Sequence, residues 1–177
     1  MTHAPHTAGA IGFRPLREAD LPTLHDWLLR AHVRAWWDVD DDEDLEDTRD
    51  HFGPMTDPVG RTRGYIALLD GTPIGFVQCY VVAGSGDGWW PHETDPGARG
   101  IDVFLADGDM LSRGLGTRMV GAFVSLLFED PLVTKVQADP KPDNTRAIHC
   151  FEKSGFEHRG RVETPDGAAM LMVRARP

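Results

Sequence analysis

Apolar side chains along this chain follow two periods, one typical of helices and one typical of strands. Helical spacing predicts a helix from Asp20 to about His32, because Leu21, Leu24 and Leu28 share one face. Similar spacing predicts three more helices: one within the acidic segment before Gly53, one between the turn 112–116 and Pro131, and one from Asp143 or Asn144 to Gly155.

Short runs of apolar and β-branched residues between these helices predict the strands of one sheet. Asp70-Gly71 separates two of the runs and is a strong hairpin signal. The predicted strands are Gly12–Leu16, Tyr65–Leu69, Ile74–Val82, Ile101–Leu105, Val133–Ala138, Phe156–Val162 and Met170–Arg174. Helices and strands therefore alternate in an α/β or α+β fold. We expect one domain over residues 12–177, preceded by a flexible segment, 1–11.

Composition narrows the classes of function. The net charge is −10, from 18 basic and 28 acidic side chains, which disfavours nucleic acid and favours a cationic small molecule. Two cysteines and the lack of a signal sequence or an apolar span predict a cytoplasmic protein that does not contact membranes. The histidines show no ligand spacing, so we expect no metal. The sequence has no obvious apolar surface helix, so we expect a monomer.

Nine acidic side chains between Asp38 and Asp50 supply much of that charge. A charge run is most often a solvated helix or loop, so it does not by itself identify a ligand.

One turn has the composition of an anion-binding loop. In Leu111–Thr117 small residues precede a predicted helix, so backbone N–H groups and the positive end of the helix dipole can face a pyrophosphate. An ordinary strand-to-helix turn would have the same composition, and the Walker and dinucleotide-binding patterns are missing.

The turn and a later segment together resemble the GNAT superfamily of N-acetyltransferases. Asn144–Ala147 and Phe151–Phe156 are similar to its late motif, and Ser112–Thr117 resembles its coenzyme A loop, although Leu111 stands where many members carry Arg or Gln. The resemblance implies a mixed, mostly antiparallel sheet whose splayed strands bind acetyl-CoA. The cofactor residues that it implies are Val103, Phe104, Leu105, Arg113, Gly114, Leu115, Gly116, Thr117, Asn144, Ala147, Phe151 and Lys153.

Within the superfamily the chain most resembles the aminoglycoside 6′-N-acetyltransferases. The segments that carry this resemblance are Gly84–Trp90, Glu93–Gly97, Arg99–Asp102, Trp36-Trp37, Asp139-Pro140 and Thr164–Gly167. It implies that a polycationic antibiotic is held by carboxylates and aromatic faces, which suit ammonium groups and sugar rings. The implied residues are Trp36, Trp37, Asp87, Trp89, Trp90, Glu93, Asp102, Asp139 and Asp166.

Structural roles compete with this assignment. Tryptophans are frequent in cores, and a core position suits Trp27 and also Trp36, while the acids are of the type that caps turns. Trp89 and Trp90 are adjacent and cannot easily both point inward, so one of them is expected to face ligand or solvent.

The resemblance implies that a neutral amine attacks the thioester directly, with backbone N–H groups near Val103 to Leu105 polarising its carbonyl. Asp102 is the candidate base, and the alternatives are an anionic anchor for the amine or a salt bridge to Arg99. Phe151 stands where the family places a tyrosine, and it has no proton for the departing thiolate.

Two other functions remain open at this stage. The acceptor of an acetyltransferase could be a siderophore precursor, another polyamine or a protein amine. Alternatively, the chain could bind aminoglycoside or acyl-CoA without turnover, which Phe151 would explain.

Overall fold

The computed structural model describes residues 9–37, 39–40 and 42–177, and its described strands form one seven-stranded sheet. The strand order is β1-β2-β3-β4-β5-β7-β6, and every neighbouring pair is antiparallel except β4 and β5. The strands are β1 (Ile11–Pro15), β2 (Thr62–Leu69), β3 (Thr72–Val81), β4 (Ala98–Leu105), β5 (Lys135–Ala138), β6 (Glu157–Thr164) and β7 (Gly167–Ala175). The predicted mixed, mostly antiparallel sheet is thereby confirmed.

The helices are α1 (Leu21–Leu28), α2 (Ala31–Arg34), α3 (Leu45–Phe52), α4 (Leu115–Leu127) and α5 (Thr145–Lys153). The single helix predicted from Asp20 to His32 is wrong, because the chain breaks between α1 and α2. Arg30 leaves the helical region with φ −70° and ψ 135°, and its guanidinium donates to the carbonyl of Ala106. The short helix predicted in the acidic segment is confirmed as α3, which begins after an Asp44 capping box.

The hairpin between β2 and β3 forms where Asp70-Gly71 predicted it. Both residues have positive φ, 48° and 82°, as a two-residue turn matching the strand twist requires. Asp70 also accepts a hydrogen bond from the backbone of Ala10 at 2.8 Å, which fixes the start of β1.

The two parallel strands, β4 and β5, pair only at Ala98↔Lys135, Arg99↔Val136 and Gly100↔Gln137. Beyond Gly100, β4 continues to Leu105 along β3 while β5 ends at Ala138, so the strands separate. Backbone direction follows from two bonds: Val82 N donates to Ala98 O, and Ala106 N donates to Ile74 O. Since backbone groups alternate along a strand, those of Val103 and Leu105 point into the gap.

The sheet separates two buried clusters. One contains Ile101 and Leu105 of β4 and the apolar faces of α4 and α5, including Phe123 and Phe151. The other contains Phe104 and the apolar residues of α1, α2 and α3. The side chains of β4 therefore alternate between the two clusters as predicted, and Asp102 lies on the face of Phe104.

Some sequence predictions concern residues outside this description. Residues 1–8 fall outside it, as do Asp38 and Asp41 of the acidic run, so the flexible segment 1–11 and the domain limits stay predictions. Over the described ranges no helix is both long and apolar enough to cross a membrane.

We predict that Gly75→Ala lowers the free energy of unfolding by on the order of 2–3 kcal/mol, because its new methyl group would overlap the backbone of β4. An ideal Cβ at Gly75 would lie 2.3 Å from the Phe104 carbonyl oxygen. Gly121→Ala is the matched control, since it adds its methyl group to open space within α4 and should stabilise the protein by about 0.5–1 kcal/mol. Chemical denaturation of both variants measures these changes, and equal effects would contradict the prediction.

Candidate active site

A cleft of about 1210 Å³ lies at the gap between β4 and β5. Its walls come from both faces of the sheet, so side chains of α2 and β3 line the same space as those of α4 and α5. The site residues predicted from sequence that line it are Trp36, Trp37, Trp89, Asp102, Val103, Phe104, Leu105, Gly114, Gly116, Thr117, Asp139, Asn144, Ala147, Phe151, Lys153 and Asp166.

Asp102 sits where β4 begins to separate from β5. The side-chain amide nitrogen of Gln78, its partner on β3, donates to Asp102 Oδ2 at 2.7 Å. Burial raises the pKa of the Asp102 carboxyl, the bond from Gln78 opposes that rise, and the nearby charge of Asp166 adds to it. The expected alternative of a salt bridge to Arg99 is not formed, since Arg99 donates to the carbonyls of Pro96 and Ala98.

Two further carboxylates approach Asp102 from other elements. Asp139 follows β5, and Asp166 lies in the turn between β6 and β7. Burial, and then the charges of Asp102 and Asp166, raise the pKa of Asp139 to about 7. The charges of Asp102 and Asp166 therefore add to burial in disfavouring the ionisation of Asp139, and a cationic ligand would relieve that repulsion.

Tyr80 of β3 lies between these acids and the outer loop. Its ring covers Gly100, where an ideal Cβ would be 2.0 Å from the ring carbon that bears the hydroxyl. Trp90 Nε1 donates to that hydroxyl at 3.2 Å. Burial and the charges of Asp102 and Asp139 raise the pKa of Tyr80, so the phenol stays protonated.

The tryptophans divide between core and cleft. Trp27 is 6% exposed and belongs to the core, as expected. Trp36 is half-buried and lines the cleft, whereas Trp37 packs on Phe104 with ring centroids 5.1 Å apart. The core position expected for Trp36 is therefore taken by Trp37, which packs against the buried Phe104.

Trp89 and Trp90 also take separate roles. A tight turn in which Trp89 N donates to Gly86 O at 2.8 Å brings Trp89 to the cleft. Trp90 lies behind it, with a positive φ of 47°, and contacts Tyr80 rather than the cleft.

The loop before α4 presents unpaired backbone donors. Ser112 and Gly114 have positive φ, and α4 begins at Leu115 without a side-chain cap. The first α4 bond of this region runs from Arg118 N to Gly114 O, so the N–H groups of residues 115–117 precede the helical pattern. Such a helix start suits an anionic group.

Helix α5 forms the wall opposite this loop. Asn144 caps it by accepting from Ala147 N at 3.2 Å, as the sequence predicted. Phe151 is 5% exposed and packs on Phe156, with ring centroids 5.1 Å apart. Cys150 lies beside Thr117, and burial raises the pKa of its thiol, which makes it an inert part of the wall.

Five predicted residues do not line the cleft: Asp87, Trp90, Glu93, Arg113 and Leu115. Glu93 instead forms an ion pair with Lys135 Nζ at 2.6 Å and accepts from Asp95 N, which anchors its loop to β5. Leu115 is buried in the core, so only its backbone remains available to a ligand.

Sequence reasoning missed Gln78, Tyr80 and His32, all of which line the cleft. The signal for the first two was the alternation of β3, in which Gln78 and Tyr80 are polar positions opposite the buried Val77 and Cys79. His32 gave no such signal, because its position follows from the break between α1 and α2.

Within the described part of the chain, His, Cys, Asp and Glu side chains form no group of three or more that could hold a metal ion.

Comparison with known proteins agrees with this geometry. The model of the GNAT acetyltransferase domain matches residues 17–164. The chain therefore belongs to the GNAT family and is an acetyl-CoA-dependent N-acetyltransferase. Within the family it belongs with the aminoglycoside 6′-N-acetyltransferases, as the first of the two curated relatives described next shows.

The aminoglycoside N(6′)-acetyltransferase type 1 of Klebsiella pneumoniae is 49% identical, over 94% of this chain and 84% of that protein. A kanamycin resistance protein of Rhizobium radiobacter is 60% identical over 50% of this chain and 82% of its own length.

Solved structures resemble the whole fold. AAC(6′)-Ib in complex with coenzyme A is 50% identical, with a TM-score of 0.89 over 94% of this chain and 95% of that one. Its complex with coenzyme A and kanamycin has a TM-score of 0.88 at 50% identity, over 94% and 95% of the two chains.

We predict that Asp139→Asn stabilises the protein at pH 8 by on the order of 2 kcal/mol and has little effect at pH 4.5. The pKa of Asp139 rises from 3.8 to about 7 on folding, so the wild type loses stability as pH increases through that window, while asparagine has no proton to lose. Urea unfolding at the two pH values measures the difference. An equal change at both would show that the carboxyl is not held protonated by burial.

Proposed function

We propose that this protein transfers the acetyl group of acetyl-CoA to the 6′-amino group of aminoglycoside antibiotics. The observation that carries the proposal is the grouping of charge along the cleft. Asp102, Asp139 and Asp166 lie close enough for their charges to interact and define an acidic side. Helix α5 contributes the cations Arg146 and Lys153 to the lining, and Arg61 and Lys141 line the cleft as well. A polycation and a polyanionic coenzyme would each meet the complementary charge.

The acidic side would hold the aminoglycoside. Its ammonium groups would pair with Asp139 and Asp166, and the faces of Trp36 and Trp89 would contact sugar C–H surfaces. Relatives support this assignment, since AAC(6′)-Ib has been solved with kanamycin and with ribostamycin. Asp87, Trp90 and Glu93 would act indirectly, by shaping the loop that presents Trp89.

The opposite side would hold acetyl-CoA. The pyrophosphate would meet the N–H groups at the start of α4, with Gly114 leaving open space for its approach. Gly116 would let α4 pack closely against Cys150. The pantetheine arm would lie along the open edge of β4, against Asn144 and Ala147. Arg113, at the exposed tip of the loop, would interact only with the outer part of the coenzyme.

The reaction would proceed by direct attack of the amine in a ternary complex. The amine nitrogen adds to the thioester carbonyl, the oxyanion accepts hydrogen bonds from the open N–H groups of Val103 and Leu105, and the C–S bond then breaks. Phe104 would not contribute its N–H, because its backbone faces β3.

Asp102 would take the proton that the substrate ammonium must lose. Its raised pKa brings the carboxyl closer to an amine's, which makes it a better base than an exposed aspartate. An anchoring role at the same position would orient the amine without removing its proton, and kinetics separate the two.

The departing thiolate would be protonated by water. Phe151 occupies the position of the family tyrosine and carries no proton, and its ring is packed in the core. Because a coenzyme A thiolate is a tolerable leaving group, this substitution is compatible with turnover.

We predict that the enzyme releases coenzyme A from acetyl-CoA with neomycin and not with paromomycin, which has a hydroxyl in place of the 6′-amine. Thiol release measures turnover, and calorimetry confirms that paromomycin still binds. Equal turnover with both would move acetylation to another amine. If neither compound causes coenzyme A release although acetyl-CoA binds, the result would favour a siderophore-type acceptor or a non-catalytic binding protein.

We also predict that Asp102→Asn lowers kcat for neomycin by about 10²-fold or more, while the Kd for acetyl-CoA stays within twofold. Asp109→Asn, an exposed acid outside the cleft, is the control and should leave kcat unchanged. A raised KM for neomycin with unchanged kcat would assign Asp102 to anchoring rather than to proton transfer.

A further inference from the structure

The open edge of β4 lacks a strand partner where acetyl transfer would take place. The carbonyl of Leu105 points into the gap between β4 and β5, and β5 has already ended at Ala138. Another group must satisfy this carbonyl, because an unpaired polar group in a part-buried site is costly.

A histidine from the break between α1 and α2 supplies that group. His32 Nε2 lies 2.9 Å from the Leu105 carbonyl oxygen, and since a carbonyl only accepts, the Nε2–H of His32 donates. Directly after β4, Arg30 Nη1 donates to the carbonyl oxygen of Ala106 at 2.5 Å, a residue whose backbone faces β3. His32 therefore takes the place of a strand partner at the open edge of β4, and Arg30 holds the residue that follows the strand.

We propose that His32 is a positioning residue for acetyl transfer, which acts by fixing the Leu105 peptide at the open edge of β4. This inference rests on the function proposed above. With the Leu105 carbonyl occupied, the open groups nearest to it are the N–H of Leu105 and both backbone groups of Val103. Because only these backbone groups are open, the pantetheine arm can pair with β4 in one register, which fixes the position of the thioester.

The same bond links the two halves of the ternary complex. His32 belongs to α2, and the turn that follows α2 carries Trp36, which lines the acceptor side of the cleft. His32 itself lines the cleft and packs beside Gly108, in the turn that leads toward the coenzyme loop. A change in the His32 contact would therefore shift the thioester relative to the amine, and small displacements of reacting groups lower rates strongly.

Side-chain length provides a sharp test. The amide nitrogen of glutamine reaches about as far as histidine Nε2, whereas that of asparagine reaches only as far as Nδ1. We expect His32→Gln to retain kcat/KM for acetyl-CoA within about threefold, and we expect His32→Asn and His32→Ala to lose about tenfold or more. The Kd of paromomycin should stay within twofold for all three.

His25→Ala is the matched control. His25 lies on α1 and its Nδ1 contacts Thr48 Oγ1 at 2.8 Å, so its loss disturbs helix packing without touching β4. It should lower the melting temperature and leave kcat/KM for acetyl-CoA within twofold when assayed well below that temperature. Melting curves for every variant identify the range in which each is folded.

The outcomes separate this inference from the proposed function. If the wild type fails to acetylate neomycin, the proposed function is wrong. If the wild type is active and His32→Ala matches it, or if Gln and Asn lose activity equally, the positioning role of His32 is overturned. A loss in His25→Ala as large as in His32→Ala would overturn it as well, by assigning both to general helix stability.

Discussion

The cleft and its hydrogen-bonding edge exist because the parallel strands β4 and β5 are paired over only a short stretch. β4 and β5 share only three residue pairs, after which β4 continues without β5. This leaves backbone N–H and C=O groups of Val103 and Leu105 directed into a space between two cores, where each of them needs a partner. His32 satisfies one carbonyl, and the thioester arm of acetyl-CoA is suited to the rest. The separation of the strands thus produces both the cleft and its hydrogen-bonding edge.

Charge is distributed over this frame by elements that are distant in sequence. Asp102 comes from β4, Asp139 from the end of β5 and Asp166 from the β6–β7 turn. Burial first, and then the charges of neighbouring acids, raise the pKa values of Asp102 and Asp139. Arg146 and Lys153 come from one helix on the other side of the sheet. The positions of these charged side chains around the cleft between β4 and β5 therefore say more about the ligands than the net charge of −10 does.

Most strands, the Asp70-Gly71 hairpin and the Asn144 cap could be predicted from sequence, because period and turn chemistry are local properties. The break between α1 and α2 could not, since Arg30 leaves the helix in a region where its partner, Ala106, is 76 residues away. The same limit applies to the site. Motif resemblance indicated Asp102 and the α4 loop, whereas Gln78 and Tyr80 enter through cross-strand register, and Glu93 is drawn out of the cleft by Lys135.

The Glu93–Lys135 ion pair has a mechanical consequence. The loop between β3 and β4 is fastened to the start of β5 by this pair and by the 2.6 Å bond from Thr134 to Asp95. The loop therefore lies across the end of the β4–β5 pair at which the two strands are hydrogen-bonded to each other. Moving β5 away from β4 would stretch these two contacts. The separation of the two strands is therefore coupled to the position of the loop that carries Trp89.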